Sequence, residues 1–437
     1  MKLPNNLKIC HIAYSDNCGG AARAAYRIHN SLVANQIENG ISSKMRVVKK
    51  FSTNNTVKGG PAFNNKIQYQ FQKNINRVAR YIYSYIYPES SVFSLAWPST
   101  GLSKELNLEY EKNNLDIVNL HYLSENTLSV KEIGNLKMPL VWRLNDQWPF
   151  CSSEHYYEPD NLFDDEEYVT GYRKNKKFLD LKQIIWLNKK NSWKRKIYII
   201  APSNWIAKCA SKSYLFKNQP IQVIPSAIDL NFWRPVNKDK ARYKLNLPMN
   251  KKLLLFGAFE ALSDFRKGGD LLLKSLAILS KKISKELREN IELIIFGAIR
   301  SEVEIKTDFK LKYVGKINND EILKLYYSAS DVFVLPSRKD NLPGTGIESH
   351  ACGTPVVAFN VGGLPDIIDD KITGSLAEPF EPESLAQEIN WVIENTERNN
   401  NLKKAAREKA INIWDEKRIS KIYSDYYFEI YKDFYKI

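Results

Sequence analysis

The chain has 437 residues, enough for two ordinary domains that each bury a core, and its 43 % hydrophobic content fits a globular protein. No apolar run reaches the length of a membrane span, and Met1-Lys-Leu-Pro-Asn-Asn leads into an apolar strand without the core of a signal peptide, so a cytoplasmic protein is expected. Lys and Arg number 64 against 49 Asp and Glu, a net +15, which points to an anionic partner: nucleic acid, a membrane surface or a phosphorylated substrate. The odd number of cysteines (Cys10, Cys18, Cys151, Cys209 and Cys352) and the lack of zinc or redox spacing suggest reduced structural thiols.

In chain order, residues 7–14 read as a strand. Ser15-Asp-Asn-Cys-Gly19-Gly20 then forms a turn into a helix rich in Ala and Leu. Glycines at such a strand-to-helix turn let backbone approach a phosphate. Residues 52–100 break the pattern: Ile67, Phe71, Ile75, Val78, Ile82 and Ile86 recur at helical spacing beside Lys66, Lys73, Arg77 and Arg80, with Tyr81, Tyr83, Tyr85 and Tyr87 interleaved. Packing on its own domain is the expectation for this stripe, and contact with a membrane or lipid-linked acceptor is the other reading. Strands follow at 115–121, 140–146, 196–202 and 221–225, and residues 226–235 read as a hinge.

From 251 onward the alternation is regular: strand 251–258, helix 269–281, strands 291–298 and 311–316, helix 320–329, strand 331–337. It predicts a second doubly wound domain. Residues 411–437, with Trp414, Ile419, Tyr423, Tyr426, Tyr427 and Tyr431, read as one amphipathic helix.

The densest signal is Asp331-Val-Phe-Val-Leu-Pro-Ser337 running through Asp340-Asn341-Leu342-Pro343-Gly344-Thr345-Gly-Ile-Glu348 to a second apolar strand ending at Phe359. A buried strand delivers two carboxylates eight positions apart to a loop and a helix start, where free amides can hold an anion. Carboxylates repel a diphosphate, so Glu348 and Asp340 are expected to accept from hydroxyls. Arg266-Lys267-Gly268, a basic pair before a helix, suits a departing diphosphate.

This stretch resembles the donor-binding signature of retaining GT-B glycosyltransferases of family four, also called group 1, and polysaccharide-building members in particular. The resemblance implies an α/β protein with two doubly wound Rossmann-like domains facing each other across a cleft: an acceptor-side domain at 1–225, a nucleotide-sugar donor domain at 226–410, and a helix at 411–437 crossing back. It implies a metal-independent, retaining hexosyl transfer from a nucleoside diphosphate sugar to a glycan or lipid-linked acceptor in cell-surface polysaccharide synthesis. No further cofactor is called for, nucleic acid is not an expected partner, and the work could be done at the inner face of the membrane.

Residue by residue, Glu348 would bind ribose, Asp340 the transferred sugar, and Asn341, Leu342, Pro343, Gly344 and Thr345 would line the donor loop. Lys267 and Arg266 would neutralise the leaving group, and Gly19 and Gly20 would face the diphosphate. Ala258 stands where an Arg is usual, and Asn145 where a His is usual before Asp146. Asn hydrogen-bonds but does not titrate. On the acceptor side, His121, Asn145, Asp146, Trp148 and His155 are the candidates. The basic residues Lys182, Lys189, Lys190, Lys194, Arg195, Lys196, Lys208, Lys212 and Lys217 are expected to form a surface for an anionic membrane. Two rival classes are a non-catalytic nucleotide-sugar-binding partner subunit with a decayed site, and a basic nucleic-acid-binding protein; the latter lacks any recognised module.

Overall fold

The computed structural model describes residues 3–60, 66–87, 100–123, 127–156, 181–257, 264–297 and 307–437. Ala258 and residues 88–99 lie outside these. The chain divides into two compact units, Met1–Ala227 with Lys417–Ile437, and Ile228–Glu416.

In the first unit seven parallel strands, β1 (Leu7–Ser15), β2 (Ile41–Lys49), β3 (Val57–Lys58), β4 (Ile117–Leu120), β5 (Leu140–Arg143), β6 (Tyr198–Ala201) and β7 (Ile221–Val223), lie in the order β3-β2-β1-β4-β5-β6-β7. Both faces are covered, which is why the strands read as near-continuous apolar runs. Along β1, Cys10 and Ile12 enter one cluster with Trp142 and Ile133. Leu7 and Ile9 enter the other, with Ile419, Tyr423 and Tyr427.

Those last three belong to the C-terminal helix. Residues 411–437 are not one helix, as the sequence pattern suggested. One helix ends at Trp414 and another spans Glu416–Tyr435, with Asp415 between them at φ −52°, ψ 127°. The break separates two allegiances: Trp414 packs in the core of the second unit and Ile419, Tyr423 and Tyr427 in that of the first. Tyr427 Oη accepts from Asn119 Nδ2 at 2.6 Å, so the helix is bonded to β4 as well as packed on it.

The second unit holds six parallel strands, β8 (Lys252–Gly257), β9 (Ile291–Phe296), β10 (Lys310–Gly315), β11 (Val332–Leu335), β12 (Val356–Phe359) and β13 (Gly374–Ala377), in the order β10-β9-β8-β11-β12-β13. Leu254, Phe256, Val332 and Val334 face helices α5 (Gly269–Lys282) and α8 (Pro382–Glu394) on one side. Leu253, Leu255, Phe333 and Leu335 face Tyr327, Ile347 and Trp414 on the other. Asp331 anchors the entry to β11: its carboxylate accepts from Lys238 Nζ at 2.6 Å, Arg242 Nη2 at 3.0 Å and the Leu253 amide at 2.9 Å.

Both sheets change direction of winding once, between β1 and β4 and between β8 and β11. In open α/β sheets, ligands sit outside the carboxyl ends of strands at such a switch. The loops after these four strands are therefore the places to look.

Candidate functional site

In the second unit the switch-point loops are Asp264–Gly268 and the segment from Pro336 to Pro343. They are bonded to each other. The Arg338 amide donates to Arg266 O at 2.8 Å, and the Arg338 guanidinium forks onto Asp270 with two contacts of 2.6 Å. Gly268 makes the approach possible: at φ +68° it caps the turn, and a Cβ there would lie 1.8 Å from Pro336 O. Only glycine fits.

This docking brings the predicted basic pair to the predicted carboxylate. Lys267 Nζ donates to Asp340 Oδ2 at 2.6 Å, and Arg266 Nη1 stands 3.4 Å from the same oxygen. Arg266 also pairs with Asp264 at 2.9 Å and donates to Lys339 O. Burial alone would raise the Asp340 carboxyl, but Lys267 and Arg266 hold it below the usual carboxylate range. Burial lowers Lys267, and Asp340 pulls it back. The site is a part-buried ionic cluster in which Arg266 and Lys267 meet two carboxylates, Asp340 and Asp264.

Beyond Asp340, helix α7 (Gly344–Ala351) opens after Pro343 with no side chain capping its first amides. Its N-terminal N–H groups are suited to an anion. Glu348, one turn in, is buried and accepts from Tyr327 Oη at 3.1 Å. Tyr327, on the helix Asp320–Ala329, went unnoticed in the sequence because its aromatic ring reads as core, which it also is.

In the first unit, Gly19 caps helix α1 (Gly20–Ala34) at φ +86°, ψ 169°, a region essentially reserved for glycine. A Cβ built on Gly19 or Gly20 would meet nothing within 4 Å. The loop is thus open, and only Gly19 needs glycine for its backbone. Beside it, buried Asp16 accepts from the Phe51 and Ser52 amides at 2.8 and 2.9 Å, which ties the β1 and β2 loops together.

The residues proposed for the acceptor side divide into two groups. Asn145, Asp146 and His155 come together: Asn145 Oδ1 accepts from Arg143, and His155 Nδ1 is 3.1 Å from Asp146 Oδ2. Trp148 does not join them as a contact surface. Its ring is buried in the core against Trp142 and Trp193, and only its amide reaches Asp146, at 3.1 Å. His121 is buried too, with its Nε2 2.8 Å from His11 Nδ1, and burial pushes both imidazoles well below their usual value, so they are neutral at pH 7.

The expected basic surface also needs correction. Lys189 is fully buried on the helix Leu181–Ser192; its Nζ donates to the Trp148, Cys151 and Ser152 carbonyls and lies 3.9 Å from the centre of the Trp148 ring. Lys182 is buried against Glu154. These two lysines are internal ties for residues 146–156. Among the described residues, no group of three or more His, Cys, Asp or Glu could hold a metal ion.

Comparison with known proteins places this geometry. Residues 237–409 match the family model "Glycosyl transferases group 1". The chain is 27 % identical over 179 residues to D-inositol 3-phosphate glycosyltransferase of Streptosporangium roseum and 30 % identical over 187 residues to that of Segniliparus rotundus. These alignments take in 38 and 40 % of this chain, and the chain spans 40 % of the length of each relative. Similar solved structures cover almost everything: sucrose-phosphate synthase of Thermosynechococcus elongatus (TM-score 0.64, 17 % identity, 98 % of this chain and 100 % of that one) and HepE of Anabaena in complex with UDP-glucose (TM-score 0.59, 15 % identity, 99 and 100 %). Residues 237–409 are thus similar to the group 1 glycosyltransferases, and the two parallel sheets match the GT-B fold of solved glycosyltransferase structures.

Proposed function

We propose that this protein transfers a sugar, with retention and without a metal, from a nucleoside diphosphate sugar to a hydroxyl of a glycan or lipid-linked acceptor, in cell-surface polysaccharide synthesis at the inner face of the membrane. The observation that supports it most is the Lys267–Asp340–Arg266 triad beside the uncapped start of α7. A leaving diphosphate carries charge that grows as its bond to the anomeric carbon breaks, and preorganised cations and helix amides stabilise that growth.

In this reading Asp340 aligns Lys267 and accepts from a hydroxyl of the transferred sugar, while Asn341, Leu342, Pro343, Gly344 and Thr345 pack along the donor. Glu348, oriented by Tyr327, accepts from the ribose hydroxyls. Gly19 and Gly20 take part in diphosphate binding. The acceptor hydroxyl attacks the anomeric carbon as the carbon–oxygen bond to the diphosphate breaks, and its proton passes to a departing phosphate oxygen. The acceptor is handled by the first unit around Asn145, Asp146 and His155, with His121 and Trp148 supporting from beneath.

A thermal-shift screen against UDP-, GDP- and ADP-sugars, followed by turnover assays with those that bind, tests this. Binding with turnover is the expected result. Tight binding without hydrolysis or transfer would make the chain a non-catalytic partner subunit.

A further inference from the structure

Helix α2 (Lys66–Ile86) is built inside out. A surface helix normally turns its apolar stripe to the core and its charges to water. Here Phe71, Val78, Ile82 and Tyr85, spaced seven, four and three residues apart, share one face, and with Tyr81 they are 49–83 % exposed. The opposite face holds the helix to the first unit: Tyr83, 1 % exposed, hydrogen-bonds Ser153, and the Leu181 amide donates to the hydroxyl of buried Tyr87 at 3.0 Å. The helix is moored by its tyrosines, holds Ile75 and Ile86 half-buried, and presents Phe71, Val78 and Ile82 outward.

Its charge is equally one-sided. Lys66, Lys73, Arg77 and Arg80 are present and no Asp or Glu occurs between 66 and 86. On the 100° step per residue, exposed Arg77 and then exposed Lys73 follow Tyr81 around the helix at about 40° and about 80°, so the cations lie on the one flank of the apolar face that Tyr81 borders. Apolar and aromatic residues flanked by cations are what an in-plane helix offers to lipid: side chains enter the acyl boundary, tyrosines sit at headgroup level, and cations meet anionic phosphates. A second copy of the chain fits less well, because a two-fold contact through this face would bring two acid-free basic helices together.

We infer that the exposed face of α2 is the seat of this protein on an anionic lipid bilayer. This makes the membrane part of the functional reading specific, but it requires no sugar transfer and stands or falls separately. Among the described residues no helix is long and apolar enough to cross a membrane, so the contact is a surface one.

The test is flotation of the full chain with phosphatidylcholine vesicles and with vesicles containing about one-third phosphatidylglycerol. Wild type should float at least ten-fold more with the anionic vesicles at low salt. Val78→Glu with Ile82→Glu should remove that binding by ten-fold or more while leaving nucleotide-sugar thermal shifts unchanged; Lys73→Gln with Arg77→Gln should leave a weaker, less salt-sensitive residue. In a Tyr85→Trp variant the anionic vesicles should bring a blue-shifted component into the fluorescence. Undiminished flotation of the Val78/Ile82 variant, no spectral change at position 85, or a solution dimer that this variant dissociates would each overturn the assignment. Loss of nucleotide-sugar binding in wild type with flotation intact would count against the transferase reading alone.

Discussion

Lys267 and Asp340 lie 73 positions apart in sequence, and Lys267 Nζ donates to Asp340 Oδ2 at 2.6 Å inside a part-buried ionic cluster with Arg266. The carboxylate fixes where the ammonium points. Asp340→Asn should therefore lower turnover by about ten-fold or more, while affinity for the free nucleoside diphosphate holds or rises because a repelling charge is gone. Lys267→Ala should cost on the order of 10²-fold in kcat, the size seen when one preorganised donor to a developing anion is removed. Steady-state kinetics beside calorimetric diphosphate binding separates the two.

Glu348 and Tyr327 form a second pair, at 3.1 Å. Glu348→Gln should weaken nucleotide-sugar binding by about 1.5–3 kcal/mol through loss of a charged acceptor, and Tyr327→Phe by about 0.5–1.5 kcal/mol through loss of its orientation. Equal and wild-type-like affinities in both variants would dismiss the ribose assignment.

The loop glycines give a contrast of stability against binding. Gly268→Ala should destabilise by about 3 kcal/mol or more, since a 1.8 Å approach to backbone cannot be relieved by a rotamer change. Gly19→Ala should cost about 1–3 kcal/mol from backbone strain alone. Gly20→Ala has room and helical backbone, so it should hold or gain up to about 1 kcal/mol of stability. If the diphosphate approaches this turn, the same methyl should still weaken donor binding, readable by titration of the stable variant.

Asp331 carries a pH prediction. Burial would raise its carboxyl, but Lys403 and Lys238 hold it below the ordinary value. A carboxyl lowered in the folded state adds stability that is fully present above its unfolded pKa of about 3.9 and is lost as pH falls through the folded value. Melting temperature should thus stay level in this respect from neutral pH to about 5 and fall below about 4. Asp331→Asn should cost about 3 kcal/mol at pH 7, because Arg242 stays buried without its counter-charge, and should flatten the acid limb.

Much of this was legible in the residues. Periodicity placed ten of the thirteen described strands, missing β2, β3 and β13, because both faces of each sheet are covered, and the pattern over 331–359 placed the loop and helix start that carry Asp340 and Glu348 because a strand end fixes them locally. What failed was what tertiary packing decides. Lys189 and Lys182 read as surface charge, since nothing local reveals three carbonyls converging on one ammonium. Trp148 followed a polar strand end and read as a binding residue, yet its ring completes an aromatic cluster. The stripe of α2 was expected to pack inward, but Tyr83 and Tyr87 had the better partners, Ser153 and the Leu181 amide.

The order of the chain has a consequence for its synthesis. The second unit is one continuous segment, Ile228–Glu416, whereas the first needs Lys417–Ile437 to cover Ile9, Ile117 and Val141. On the ribosome the sheet of the first unit must wait for a helix made after the second unit, and that second unit can close while its elder neighbour still exposes a face of bare strands. Truncation before Ile419 should accordingly yield an aggregating first unit beside a folded second one.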